Sequence, residues 1–332
     1  MRMDGTTNST VSASVSEVYC DNSSGSMGCS GTGGNPSAGW KNGVFGNSSN
    51  TTLWMYPVPS VNFANMATNF STLRSYAQAD GIMLNPTSVT RDGVQMGSTF
   101  SSVGANDQRG FHLTFLSNGT VDVRRVTATN SSNSINSYNY IDGSYYNYPV
   151  IVTDPLVSNV SIPSNCPIIF SQAKTWIDGV VSGKVTVIAA DTGSYVPDVV
   201  LNGNITYATN DGTSGLTVVS EGSVHVGLVV PTDMTVSGIF VAQTGQYGRD
   251  YYASGSMSSS YDPYITRNSL TVNGTIVSAL RGVMCWGSSG GICASGFNNR
   301  MNTYDRVLAF SPPPFTPAVS TDYEFALWRE ER

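Results

Sequence analysis

The sequence predicts an all-β fold, a right-handed parallel β-helix flanked on its N-terminal side by an α+β region with one amphipathic helix. Three observations predict it. First, only 11% of the 332 residues are Asp, Glu, Lys or Arg, less than half of the roughly 25% usual in soluble domains. Ser, Thr, Asn and Gly take their place, and such short hydroxyl and amide side chains suit turns and pleated surfaces rather than exposed helices. Second, short alternating runs surround a turn glycine again and again after residue 170. Examples are Val181-Ser-Gly-Lys-Val-Thr-Val, Leu201-Asn-Gly-Asn-Ile-Thr-Tyr, Ser220-Glu-Gly-Ser-Val-His-Val, Val236-Ser-Gly-Ile-Phe-Val-Ala and Val272-Asn-Gly-Thr-Ile-Val-Ser. Third, only one stretch of the chain carries a helical period.

The repeat glycines stand at 183, 203, 222, 238 and 274, giving steps of 20, 19, 16 and 36 residues. A period near 20 with brief strands and tight turns is what one coil of a parallel β-helix needs. Stacked coils would bury Val187, Ile205, Val226, Phe240 and Ile276 in one column, and the long last step leaves room for an inserted loop at 245–266. Turn-punctuated short strands also suit a β-sandwich, which stays open as the alternative.

Taken in order, residues 1–55 read as a Ser/Gly/Asn-rich tail and loop, residues 56–165 as the α+β flanking region, and residues 166–332 as the β-helix with a Pro-rich C-terminal clasp. Phe63, Met66, Ala67, Phe70, Leu73 and Ala77 recur at three- and four-residue steps, with Asn62 as N-cap and Gly81 as terminator. A helix of this kind is expected to cover an open end or edge. Two alternating runs, His112 to Leu116 and Thr120 to Val126, flank Asn118-Gly119 and predict a two-residue hairpin. In Pro312-Pro-Pro-Phe-Thr-Pro the missing N–H groups stop a ladder, so Tyr304 to Trp328 is expected to pack back on the coils, with Phe315 and Trp328 buried and Asp305 hydrogen-bonded.

Composition excludes some functions. Net charge is −6, with three lysines, so a basic surface for neutralising nucleic-acid phosphates is lacking. No apolar run reaches the roughly 18 residues of a membrane span. The start, Met1-Arg2-Met3-Asp4, lacks the apolar core of a signal peptide, and the chain is read as beginning after a removed leader or anchor. Of the five cysteines, Cys20 with Cys29 and Cys285 with Cys293 are spaced for two short-loop disulfides, while Cys166 reads as a small buried residue. Zinc is disfavoured by that spacing and by the presence of only His112 and His225.

An enzyme on this fold would need a carboxylate pair. Asp178, Asp191, Asp198, Asp211, Glu221 and Asp233 are available, but most stand beside Gly, Thr, Asn or Pro, where side chains bond nearby amides. His112 and His225 occupy strand positions and read as structural. No cofactor is expected, although loop oxygens at Asp191, Asp198 or Asn210-Asp211-Gly212 are of the type that takes calcium. Tyrosines are the better candidates for ligand contact, namely Tyr138, Tyr140, Tyr145, Tyr146, Tyr251 and Tyr252, because exposed tyrosines offer rigid amphipathic area to sugars or proteins.

The C-terminal third carries a further signal. Asn268-Ser-Leu-Thr-Val-Asn-Gly-Thr-Ile-Val-Ser, Arg281-Gly, Ser295-Gly-Phe, Tyr304-Asp-Arg-Val-Leu, Ser311-Pro-Pro-Pro-Phe-Thr-Pro and Trp328-Arg-Glu follow one another in an order that resembles bacterial PilX-like, minor-pilin-like surface proteins with a β-helical ectodomain. The resemblance extends upstream through Trp176-Ile-Asp-Gly-Val-Val-Ser-Gly-Lys-Val-Thr-Val and covers residues 170–332 best. It implies an extracellular, cell-surface or pilus-associated structural or adhesion protein without a catalytic site, with surface glycans or pilus and envelope proteins as partners. The hydrophobic N-terminal helix of that family is missing from this sequence. The alternative expectation is a carbohydrate-active β-helix enzyme, a polysaccharide lyase or hydrolase.

Overall fold

The computed structural model describes residues 70–98, 109–129, 136–138, 145–147, 150–191, 196–253, 255, 258–289 and 292–317, together with four two-residue strands nearer the N-terminus. The chain divides into two compact units, Met1–Asn62 and Phe63–Arg332. In the first, Arg2–Met3 pairs with Phe45–Gly46 and Val11–Ser12 with Trp54–Met55, both parallel.

The second unit is all-β apart from short helices, and sixteen of its strands form one large, nearly closed sheet. After helix α1 (Phe70–Ala79) come β1 (Ile82–Asn85), β2 (Ser88–Arg91), β3 (Val94–Ser98), β4 (Gly110–Phe115), β5 (Thr120–Val126) and β6 (Leu156–Ser161). Then follow β7 (Ile168–Ser171), β8 (Lys174–Val181), β9 (Lys184–Ala189), β10 (Val199–Tyr207), β11 (Gly215–Ser220) and β12 (Val224–Val226). The long β13 (Asp233–Gly248), β14 (Thr266–Leu280), β15 (Cys285–Ser289) and β16 (Ile292–Thr303) complete the set, and a short helix α2 (Arg306–Phe310) ends it.

Two parallel ladders organise these strands. One runs β1–β7–β9–β11–β13–β14–β16 and the other β4–β8–β10–β12–β13. From β7 to β12 the chain visits the two ladders alternately, so each strand pairs with the one laid down two strands earlier. Residues 200–207 and 224–226 therefore lie parallel, not in a hairpin. At the path's two ends β6 and β3 approach: a Cβ at Gly97 would lie 2.5 Å from Val157 Cγ1.

The sequence explains the packing. Alternation points one set of side chains between the ladders, and Ile169, Val187, Val218 and Phe240 sit in register there with no exposed surface. Each such side chain stabilises by roughly 1.5–3 kcal/mol. The second ladder is buried on its outer side too, where Trp176 and Val200 pack with Val126, Leu228, Tyr252 and Ile265. α1 lies over the start of the first ladder, with Phe70 and Ala77 buried, and ends where Asp80 and Gly81 N–H both donate to the Tyr76 carbonyl (2.9 and 3.2 Å).

Several expectations change in detail. Ile276 continues the column of Phe240 in register, but it is 37% exposed because it lies near the end of the stack. The repeat is less regular than 20 residues: Ile169 meets Val187 and Val187 meets Val218, offsets of 18 and 31, and Phe240 meets Ile276 after 36. Gly203, Gly238 and Gly274 lie within strands, not in turns between them. Gly238 and Gly274 face each other at a bend, where a Cβ on Gly274 would stand 1.9 Å from the Gly238 carbonyl oxygen. The Asn118-Gly119 hairpin forms with a three-residue loop. Leu116 N–H donates to Thr120 C=O (2.9 Å) and Gly119 takes φ of 83°, the turn-plus-bulge form whose twist matches the strands. The part of the expected helix before Phe70 lies outside the described residues.

The C-terminal clasp is present as far as Pro317. Asp305 caps α2 by accepting from Val307 N–H at 2.9 Å. Leu308 and Pro313 are buried against Gly215, Thr186 Oγ1 donates to the Pro314 carbonyl, and the Thr217 and Thr316 hydroxyls meet at 2.7 Å. Phe315 is half-buried against Tyr76, not fully buried, with ring centres 5.8 Å apart. Trp328 lies outside the described residues.

Candidate functional site

The structure brings most of the candidate tyrosines onto one small sheet. Asn136–Tyr138 pairs antiparallel with both Tyr145–Asn147 and Tyr251–Tyr252, placing Tyr138 opposite Tyr145 and Tyr251, and Ser137 opposite Tyr146 and Tyr252. Tyr252 is fully buried in the cluster over Trp176 and so belongs to the core, which corrects its assignment as a contact residue. Tyr251 stays half-exposed with its ring edge-on to Trp286 at 5.8 Å. Buried Arg249 anchors the excursion that carries them. Its guanidinium donates to the carbonyls of Leu228 (3.3 Å) and Tyr264 (2.6 Å) and lies over the rings of Tyr252 and Phe297. Tyr140 falls outside the described residues, as do Cys20 and Cys29. Cys285 and Cys293 are at disulfide distance, with Cα atoms 5.4 Å apart. Cys166 is buried and free.

On the outer face of the second ladder, His112 is held between two carboxylates. Its Nδ1 lies 2.7 Å from Asp154 Oδ2 and its Nε2 2.9 Å from Asp178 Oδ2. Strand register sets this up, because His112 on β4 stands beside Trp176 on β8 and Asp178 follows two residues later on the same face. Burial alone would lower the imidazole pKa; the hydrogen bonds and charges of Asp178 and then Asp154 outweigh it and raise the value. Burial likewise pushes Asp178 upward, but His112, with Thr114 and Asn202, brings it below the ordinary carboxylate value. Ionised carboxylates can only accept, so the pair favours an imidazole that donates from both nitrogens. The arrangement is a clamp that ties the 150–161 segment to the coil wall. The other acidic candidates do local work. Asp198 Oδ1 accepts from Ser223 N–H (2.8 Å), Asp211 Oδ1 from Thr213 N–H (3.0 Å), and Glu221 Oε2 from Asp191 N–H (2.8 Å). Among the described residues no three His, Cys, Asp or Glu converge as a metal site.

A groove of about 330 Å³ opens beside the coil corner at Gly238 and Gly274. Its floor includes Ser214 and Ser237, both under 7% exposed, and Tyr207. One wall is a polar ladder, since Ser237, Asn273 and Thr303 are in register on successive strands. Asn273 Nδ2 donates to Ser237 Oγ (3.5 Å), and Thr303 Oγ1 donates to Asn273 Oδ1. The turn after β10 forms the opposite rim, where Thr209 Oγ1 bonds Thr213 Oγ1 (2.7 Å) and Ser214 Oγ (2.9 Å). Tyr304, 67% exposed, stands at the mouth. Sequence reasoning missed this groove. A usable signal was there: in the aligned repeats Val236-Ser-Gly and Val272-Asn-Gly, Ser237 and Asn273 hold equivalent positions before the repeat glycine.

Among the described residues, no helix is long and apolar enough to cross a membrane. No family model, curated protein or solved structure matches the chain.

Proposed function

We propose that the chain is an extracellular, cell-surface or pilus-associated structural and adhesion protein, non-catalytic, built as a right-handed parallel β-helix. The alternation of the chain between two parallel ladders supports the coil reading, and parallel crossovers are right-handed in nearly all proteins. The observation that carries the function is the groove beside the coil corner. It is preformed and lined by hydroxyls, two amides and two tyrosines, with Ser237, Asn273 and Thr303 on stacked rungs, which suits binding by contact. The disulfide-distance pair Cys285 and Cys293 supports an oxidising location, and the motif order of the C-terminal third supports display on an envelope or fibre. Protease shaving and surface biotinylation of intact cells test the location. The protein should be labelled without lysis, and labelling only after lysis would overturn the reading.

A second reading is a carbohydrate-active enzyme, favoured by two carboxylates flanking one histidine at Asp154, His112 and Asp178. Incubation with a polysaccharide panel decides it. No new reducing ends or unsaturated products are expected. Release that disappears in Asp178→Asn would make the enzyme the better account.

A further inference from the structure

From the groove beside Gly238 and Gly274 we infer a binding site for an uncharged saccharide; this rests on the adhesion reading and names the ligand class for it. The volume of about 330 Å³ falls at the lower end of the roughly 300–1,000 Å³ of small-molecule sites. Its chemistry narrows the ligand. Among the described residues no lysine, arginine or histidine lines the groove, so a phosphate, sulfate or carboxylate would find no countercharge there. Its one carboxylate, Asp305, is engaged by the backbone amides of Val307 and Leu308 (2.9 and 3.4 Å), so a cation is not what it is arranged to hold. Gly212 and Val307 aside, the remaining lining is hydroxyl, amide and phenol. Such groups both donate and accept, as the hydroxyls of a sugar do.

The geometry adds a direction. Ser237, Asn273 and Thr303 stand on consecutive rungs, spaced by the roughly 4.8 Å of neighbouring strands, which gives a row of evenly spaced polar groups along which a linear saccharide can lie. Their mutual hydrogen bonds fix the rotamers before any ligand arrives, so little side-chain entropy is lost on binding. Each hydroxyl still has capacity left after these bonds. Tyr304 at the mouth offers an exposed ring to the C–H face of a sugar, and an amphipathic aromatic is suited to a ligand with one apolar and one polar face.

The test uses the full chain, titrated by calorimetry and by NMR. The probes are glucose, galactose, N-acetylglucosamine and their linear trisaccharides, with sialyllactose and a heparin fragment as charged comparisons. A neutral saccharide is expected to bind, and Tyr304→Ala and Asn273→Ala should each weaken it by about tenfold or more, the equivalent of one lost aromatic or bidentate contact, with melting curves that show both variants folded. The inference is overturned if no neutral saccharide binds, if only the charged probes bind, or if both folded variants bind as the wild type does. Loss of binding in Trp286→Ala alone would also overturn it, by moving the site to Tyr251 and Trp286. Surface labelling of cells is independent of these titrations. A displayed protein that ignores sugars would sink this inference and leave the adhesion reading standing, whereas a protein found only inside cells would sink that reading first.

Discussion

At the level of single residues, His112 makes the clearest claim. Its pKa is raised in the fold, so its stabilisation is full below the ordinary value of 6.5 and is lost as pH rises through the folded value. Asp178 is lowered from 3.8, so its contribution is present above that value and is lost as pH falls through the folded one. Both are in force between about pH 4 and 6.5. The melting temperature of the wild type should decline from pH 6.5 to 9 more than that of His112→Gln. Parallel declines would mean that some other group titrates. His112→Ala should cost about 1–3 kcal/mol in a denaturant titration, because it removes the charged partner that two half-buried carboxylates share. None of this was legible beforehand. The strand position of His112 was legible, but its partners lie 42 and 66 positions away, and no local pattern connects them.

Elements were legible where the information is local. Asn118-Gly119 marked a hairpin because a left-handed glycine and an amide that bonds its own backbone are short-range chemistry. Even there the loop was one residue longer than expected, since the bulge depends on the pairing of Leu116 with Thr120. Of the repeat glycines, Gly183 and Gly222 lie between strands, but Gly203, Gly238 and Gly274 were misplaced. A glycine in a turn and a glycine at a strand bend leave the same mark in a sequence, and only register shows that Gly238 and Gly274 are stacked. Gly274→Ala should destabilise by at least about 2 kcal/mol, combining the strain of φ at 143° with a clash against the Gly238 carbonyl. Gly183→Ala is the control: nothing lies within 4 Å of its added Cβ, so only backbone strain remains, and urea midpoints should rank the two in that order. The pair Cys285–Cys293 closes a loop of eight residues, and its reduction should cost about 2.5 kcal/mol in the chain-entropy picture, read as a lower melting temperature in reductant.

For the molecule as a whole, the all-β class and the parallel pairing could be read from composition and glycine spacing, while the offsets between paired strands could not. The parallel rungs join strands 18 or more residues apart, so loop-closure entropy is lost before most contacts form. Refolding from urea should therefore be slow and multiphasic, on the scale of seconds or longer, with exposed apolar surface on the way. Stopped-flow fluorescence of its tryptophans checks this, and single-exponential millisecond recovery would contradict it. Residues 82–126 share the sheet with residues 168–303, so removing them should expose β7 and β8 and leave an aggregating remainder rather than a soluble coil.

The uneven offsets between rungs have a practical consequence. Between Phe240 and Ile276 the chain departs, crosses Trp176 and returns without losing its place on the ladder. Register is thus held by the rungs and not by the length of thread between them. The scaffold can accept foreign cargo: a peptide epitope spliced between the exposed Ser164 and Asn165, outside any strand, would add only the slowly growing cost of a longer loop. The wall behind it would keep its stacking, and the molecule could be lengthened at its corners as a display frame without being redesigned.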